Sequence, residues 1–265
     1  MTSRNPLVVA QITDTHLFAN SDGQIYGIPT AKSLEAVADR LEQLQPGADV
    51  LLLTGDLSQD ETPASYHRLA SLVNPLYLPT YWLPGNHDNP SVMEAALNGP
   101  TISSAKSFHM GGWQFLLLST NVPGRVEGLL SAESLEWLDS ELGQTAFSPT
   151  LIGLHHAPIP IGSQWMDEIT LHNPEALLEI VDRHPQIKIV LCGHIHQELD
   201  RQRGGVRYLG TPSTCIQFER HNPKFAIDKK PPGFRILSLY ADGSFTTKVQ
   251  WVSCGLASDR SVKGY

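Results

Sequence analysis

The sequence lacks several features that would place a chain elsewhere. No apolar run approaches the ~20 residues of a membrane span, and Leu7–Ile12, near the start, is too brief for the core of a secretory signal. There are only 3 cysteines, at 192, 215 and 254, an odd and scattered set that forms no disulfide framework. Basic residues are outnumbered: 19 Lys and Arg stand against 27 Asp and Glu, for a formal net charge of −8. Such a surface repels nucleic acid and anionic membranes on average. Together these absences point to a reduced, cytoplasmic setting. An anionic small-molecule partner would then need a local source of positive charge. With 41% hydrophobic and 17% charged residues, the 265-residue chain has an ordinary globular balance and enough length for one large, well-buried domain.

The first two-thirds of the chain alternate strand and helix. Residues 7–13, 49–54 and 77–83 read as buried strands. Between them, Leu34, Val37, Ala38, Leu41 and Leu44 recur at helical spacing until Pro46-Gly47. Thr62-Pro63 opens a second helix as N-cap and first helical position, and Ser91 with Glu94 reads as the capping box of a third. Gly111-Gly112 joins strands 107–109 and 113–119 in a hairpin that begins a second sheet. A helix over 131–142 follows, then strands 151–154 and 187–191 flanking a helix started at Asn173-Pro174. Trp165 and Met166, between those strands, are core candidates. The remainder turns to β, with strands at 206–209, 215–218, 234–240 and 245–252, the last two joined at Asp242-Gly243. The pattern predicts an α/β chain of two facing sheets with helices outside, forming a single domain over 1–252. Residues 253–265, small and polar, are predicted to be disordered.

Five polar motifs sit at the carboxyl ends of apolar runs: Asp14-Thr15-His16, Gly55-Asp56, Gly85-Asn86-His87-Asp88, His155-His156 and Gly193-His194-Ile195-His196. Open α/β sheets gather functional residues there. Of the 11 histidines, His16, His87, His155, His156, His194 and His196 fall inside these motifs. Alternate residues of an extended chain share a side, so Asp14 with His16, and His194 with His196, can each chelate as a pair. Gly55 allows the tight turn that brings backbone close to an ion, and Asn86 offers a neutral oxygen. Carboxylate and imidazole donors suit Mn, Fe or Zn, and no cysteine is placed to compete. Two divalent ions with the carboxylates of Asp14 and Asp56 leave about +2, or about +1 with a bridging hydroxide, which suits an anionic phosphoester. Two such ions would activate water and clamp phosphoryl oxygens during in-line attack.

In this order the motifs resemble the calcineurin-like metallophosphoesterase superfamily. That resemblance implies a four-layer sandwich of two facing mixed sheets flanked by helices, with two divalent or mixed-valence ions at the strand ends. Carried over by position, Asp14, His16, Asp56 and His196 would hold one ion, and Asp56, Asn86, His156 and His194 the other. His156 matches as the histidine two residues before Pro158, leaving His155 as a supporting residue, with an exchange of the two left open. His87 would lie over the substrate phosphate, donating a proton or stabilising charge, with Asp88 orienting it; Asn86, His16 and His196 would also face substrate. A narrower resemblance, to bacterial class III 3′,5′-cyclic-AMP phosphodiesterases, rests on Val122-Pro123-Gly124, Glu127-Gly128-Leu129-Leu130, Thr211 to Phe218, and Pro232-Gly233-Phe234-Arg235. It implies hydrolysis of a 3′,5′-cyclic nucleotide, foremost cAMP to 5′-AMP, by a metal-activated hydroxide. The alternatives are a broader phosphodiesterase or phosphomonoesterase acting on glycerophosphodiesters or other nucleotides, and a scaffold that keeps the fold without catalysis. The expected partner is a small anionic phosphodiester, without nucleic acid or membrane, and a homodimer is left open.

Overall fold

Strands buried on both faces need continuous apolar sequence, and five such runs form the centre of the structure, a computed structural model that describes residues 5–145 and 147–261. The elements run β1 (Leu7–Ile12), β2 (Gln24–Ile25), β3 (Ile28–Pro29), α1 (Thr30–Glu42), β4 (Val50–Thr54), α2 (Pro63–Val73), β5 (Thr80–Leu83), α3 (Pro90–Ala96) and β6 (Ile102–Ser103). They continue with β7 (Ser107–Met110), β8 (Trp113–Leu117), α4 (Ala132–Gln144), β9 (Thr150–Leu154), α5 (Gln164–Asp167), α6 (Pro174–Arg183), β10 (Ile187–Cys192), β11 (Leu199–Arg203), β12 (Val206–Gly210), β13 (Gly233–Leu239) and β14 (Phe245–Trp251).

Two mixed six-stranded sheets result, one ordered β14-β13-β1-β4-β5-β6 and the other β11-β12-β10-β9-β8-β7. Within the first, β1, β4, β5 and β6 are parallel; within the second, β8, β9, β10 and β12 are. Val9, Val50 and Leu52 of the first sheet pack against Phe115, Leu151, Ile189 and Leu191 of the second to form the central layer. Outside, α1 and α2 lay Leu34, Val37, Leu41, Tyr66 and Leu69 on the first sheet. Leu138, Leu142, Leu177 and Ile180 of α4 and α6 cover the second. Helix–sheet–sheet–helix is the four-layer arrangement the sequence implied.

Several local expectations are corrected. The third helix is capped two residues earlier than Ser91: the Asn89 side chain caps it by accepting from Val92 N at 3.2 Å, with Pro90 in the first turn. Glu94 instead accepts from the Ser104 hydroxyl at 2.8 Å. Residues 215–218 form no strand beyond one bridge from Phe218 to Ile227. Their backbone is spent on the site, where the Ile216 carbonyl accepts from His196 and Phe218 N donates to the His196 carbonyl. Residues 253–261 make specific contacts. Asp259 N donates to the Tyr26 carbonyl at 2.7 Å, Arg260 pairs with Glu219, and Leu256 packs on the second core; the end of the tail, 262–265, lies outside the described residues. Met166 is fully buried, and Trp165 joins an aromatic group with Phe218 and Phe225.

Candidate metal centre

β1, β4 and β5 of one sheet and β9 and β10 of the other all end on the same rim, so the five motifs converge there. They do so differently from the pleat expected for alternate residues. Asp14, His16, Asp56, His194 and His196 all have positive φ, between 46° and 66°. An L-residue in that region costs about 1–3 kcal/mol and persists only where its surroundings hold it. Here the hold is mutual: Asp14 N donates to Gly55 O, His16 N to Asp56 O, and both Asp14 carboxylate oxygens accept from His194 N. Curling away from the strand axis brings residues 180 positions apart into contact, which an extended exit would splay.

The approach is close enough to exclude a side chain between the loops. A Cβ on Gly85 would fall 2.1 Å from Asp56 Oδ1, and one on Gly193 would fall 2.1 Å from Thr13 Oγ1. Asp56 is thereby gripped, and its Oδ1 also accepts from His87 N at 2.8 Å.

Hydrogen bonds around the rim fix which ring nitrogens face inward. His16 Nδ1 donates to Gln59 Oε1 at 2.8 Å and His196 Nδ1 donates to Ile216 O at 2.8 Å. The two Nε2 atoms are then left 3.2 Å apart, both presenting lone pairs. His194 Nε2 donates to Ile169 O at 2.9 Å and His155 Nδ1 to Thr54 O at 2.8 Å. Their opposite nitrogens, together with Asp56 Oδ2 and Asn86 Oδ1, are buried and make no hydrogen bond, the 3.3 Å approach of His155 Nε2 to Asp56 Oδ2 being an ion-pair contact. Outer partners of this kind set the tautomer of metal-ligating histidines. Buried lone pairs facing one another are unfavourable unless a cation lies among them. The residues therefore fit a metal, and groups capable of holding one form at Asp14–His16–His196, at Asp14–Asp56–His155 and at His155–His156–His194.

Ionisation favours the same reading. Burial pushes His16 down to about 3 and His194 well below its usual value, so both are neutral imidazoles. Burial also opposes the charged form of Asp14 and Asp56, but the facing histidines outweigh it and hold both carboxyls low. His155 behaves oppositely. Despite burial, Asp56 raises it to about 9, with Nε2 3.3 Å from Asp56 Oδ2 and 3.9 Å from Asp14 Oδ1.

Of the two adjacent histidines, His155 rather than His156 faces the carboxylates. Both His156 nitrogens are occupied: Nδ1 bonds Thr120 Oγ1 at 2.7 Å and Nε2 bonds Val126 O at 2.9 Å. Neighbours at a strand end face opposite ways, and it is His155 that points to the carboxylates. Asp88 does not orient His87 as expected. Its carboxylate accepts from Leu57 N, Ser58 N, Gly85 N and the Tyr66 hydroxyl, bracing the two loops that carry Asp56 and Asn86. His87 does lie at the rim, edge-on to His16 with ring centres 5.2 Å apart. Its partner is Gln59, which the sequence reading passed over although it follows Asp56 by three residues. The Gln59 amide accepts from His16 with its oxygen and donates to His87 Nδ1 at 3.4 Å with its nitrogen. Asn121, also passed over, donates to Gly85 O and Asp88 O.

Comparison with known proteins agrees with this geometry. The profile of the calcineurin-like phosphoesterases matches residues 7–198. A 3′,5′-cyclic-nucleotide phosphodiesterase of Nostoc sp. is 50% identical over 262 residues, 99% of this chain and 98% of that protein. The 3′,5′-cyclic adenosine monophosphate phosphodiesterase CpdA of Escherichia coli K12 is 43% identical over 259 residues, covering 97% and 94%. Among solved structures, a dimetal phosphatase from Danio rerio superposes with a TM-score of 0.69 at 14% identity, covering 94% of this chain and 97% of the other, a likeness of fold. By its motifs, its facing sheets and these matches, the chain belongs to the calcineurin-like phosphoesterase family.

Proposed function

We propose that this protein hydrolyses 3′,5′-cyclic nucleotides, foremost cAMP to 5′-AMP, as a single-domain, two-metal phosphodiesterase of the cytoplasm. The observation that carries the metal requirement is the set of buried donor atoms on Asp56, Asn86, His155 and His194 that make no hydrogen bond. The choice of substrate is supported by relatives 40–50% identical over nearly the whole chain that bear this activity in their names. Asp14, His16, Asp56 and His196 would hold one ion, and Asp56, Asn86, His155 and His194 would hold the other, with Mn, Fe or Zn matching the oxygen and nitrogen donors. When bound, such ions supply Lewis-acid stabilisation of phosphoryl charge and a water acidic enough to attack phosphorus.

The protein's own groups do the rest. Water oxygen bonds to phosphorus, the bond from phosphorus to the 3′-oxygen breaks, and that oxygen takes a proton. His87 is placed to give it: Nδ1 accepts from the Gln59 amide, which leaves the proton on Nε2. Asp88 and Tyr66 keep the Asp56 and Asn86 loops at fixed separation. No helix among the described residues is long and apolar enough to cross a membrane.

A panel of cyclic and linear phosphodiesters, assayed on metal-reconstituted protein, tests the reading. Expected is a kcat/KM for cAMP at least tenfold above those for glycerophosphodiesters. A preference for a linear diester or a monoester would overturn the assignment.

A further inference from the structure

A cleft of about 380 Å³ opens directly off the metal centre. Its lining joins His16, His87 and His196, which belong to the centre, to the apolar Phe18, Ile25, Tyr26 and Ile216. We infer that this apolar wall is a nucleobase subsite, built chiefly by the β2–β3 hairpin. The inference rests on the phosphodiesterase reading above and extends it to the part of the substrate that does not react.

Size, chemistry and support all bear on the occupant. Ligand clefts fall in the range of about 300–1,000 Å³, mostly apolar with a few placed polar groups, so this one accommodates a base with its ribose. A phosphate at the centre leaves its remaining substituent facing the four apolar side chains. A heteroaromatic base covers them; a glycerol headgroup, polar all round, leaves them wet. The polar groups are Gln24 and Gln59. Gln59 is committed to His16 and His87, so contact with the base edge falls to Gln24, exposed on the hairpin, whose amide can both donate and accept. Complementarity of that kind suits adenine, which carries an amino donor beside a ring-nitrogen acceptor.

The hairpin is itself held in place. Gln24 pairs with Pro29 and Ile25 with Ile28 across β2 and β3. The Tyr26 ring packs on Phe225 at 5.7 Å, and its carbonyl accepts from Asp259 N of the C-terminal segment. A wall so short would wander without those two attachments.

The test compares three ligands that share a phosphate: inorganic phosphate, ribose 5-phosphate and 5′-AMP. Dissociation constants are measured by calorimetry on manganese-loaded protein of known metal content. Since base–aromatic contact carries much of such binding, 5′-AMP should bind at least ~10-fold more tightly than ribose 5-phosphate. In Ile25→Ala and Tyr26→Ala that ratio should fall towards one. Ile25→Trp, which fills the cleft without shortening the hairpin, should bring it below one. A ratio near one in the unaltered protein, or a ratio unmoved by all three substitutions, overturns the subsite. If cAMP is hydrolysed in either case, the subsite alone fails. If metal-loaded protein binds none of the three ligands, the phosphodiesterase reading fails with it.

Discussion

Substituting the adjacent histidines separately gives opposite outcomes if His155 is the ligand. His155→Ala deletes a fully buried donor whose Nε2 stands 3.3 Å from Asp56 Oδ2. Loss of an outer partner alone lowers metal affinity about 10–100-fold, so loss of an inner donor should exceed ~10²-fold at one of the two positions. His156→Ala instead removes the bonds to Thr120 Oγ1 and Val126 O, at 2.7 and 2.9 Å. It leaves two polar groups unsatisfied beside a cavity, a destabilisation of about 2–4 kcal/mol, with metal affinity down by at most ~100-fold through slackening of the site. Elemental analysis after dialysis against chelator-buffered manganese reads the first effect, and urea unfolding of metal-free protein reads the second. The expected pattern is one ion retained in His155→Ala and two in His156→Ala, the latter less stable than the unaltered protein. If His156→Ala loses an ion while His155→Ala keeps both at full affinity, the assignment is wrong.

His87→Ala should retain both metals while kcat on cAMP falls ~10²–10⁴-fold, and the loss should shrink on a nitrophenyl diester, whose leaving oxygen needs little protonation; equal loss on both would favour electrostatic stabilisation over proton donation. Stability of the metal-free protein should peak near pH 6.5. Below that pH, His16, His156 and His194, held down chiefly by burial, gain protons on unfolding, while Asp88, raised to about 7 by burial and by Asp56, loses one. The net uptake of about two protons destabilises by up to ~2.7 kcal/mol per pH unit as pH falls. His155 has the opposite sign: burial lowers it but Asp56 raises it to about 9, so its contribution is full below 6.5 and fades towards 9. Urea titrations at pH 5, 6.5 and 8.5 check this, and a steady rise with pH would refute it. Native thiol labelling should reach half-buried Cys254 alone, because burial raises Cys192 to about 12 and also raises Cys215; unfolding should expose three thiols, and a disulfide in peptide maps would contradict this.

The strands that carry the site were legible because parallel strands buried on both faces leave unbroken apolar runs, as in β4 and β10. Motifs at their carboxyl ends could then be placed on one rim without knowing how the sheets pair. Side-chain direction was less legible. Alternation implied that Asp14 and His16 share a side through extended backbone, whereas left-handed conformations aim them. Such a conformation is imposed by contacts with Gly55 and Asp56, far away in sequence. The order of His155 and His156 was hidden for a related reason: it depends on where the strand stops and on which ring meets Thr120 and Val126. Asp88 looked catalytic because it follows His87, yet its four donors come from Leu57, Ser58, Tyr66 and Gly85. The two-residue strands of the cleft hairpin leave no periodicity to read, and tertiary attachment holds them.

The interlocked loops also set an order of events when the chain is made. Asp14 is fixed by His194 N and His16 meets His196, partners translated 180 residues later. Until β10 and the turn after it have emerged, the amino-terminal half carries Asp14, His16, Asp56 and Asn86 without the imidazoles that complete either coordination sphere. Long-range partners of this kind close late in folding. With the ligand set proposed above, a nascent chain would hold metal only weakly while it is still on the ribosome. Tight loading would then follow the meeting of the two sheets rather than precede it.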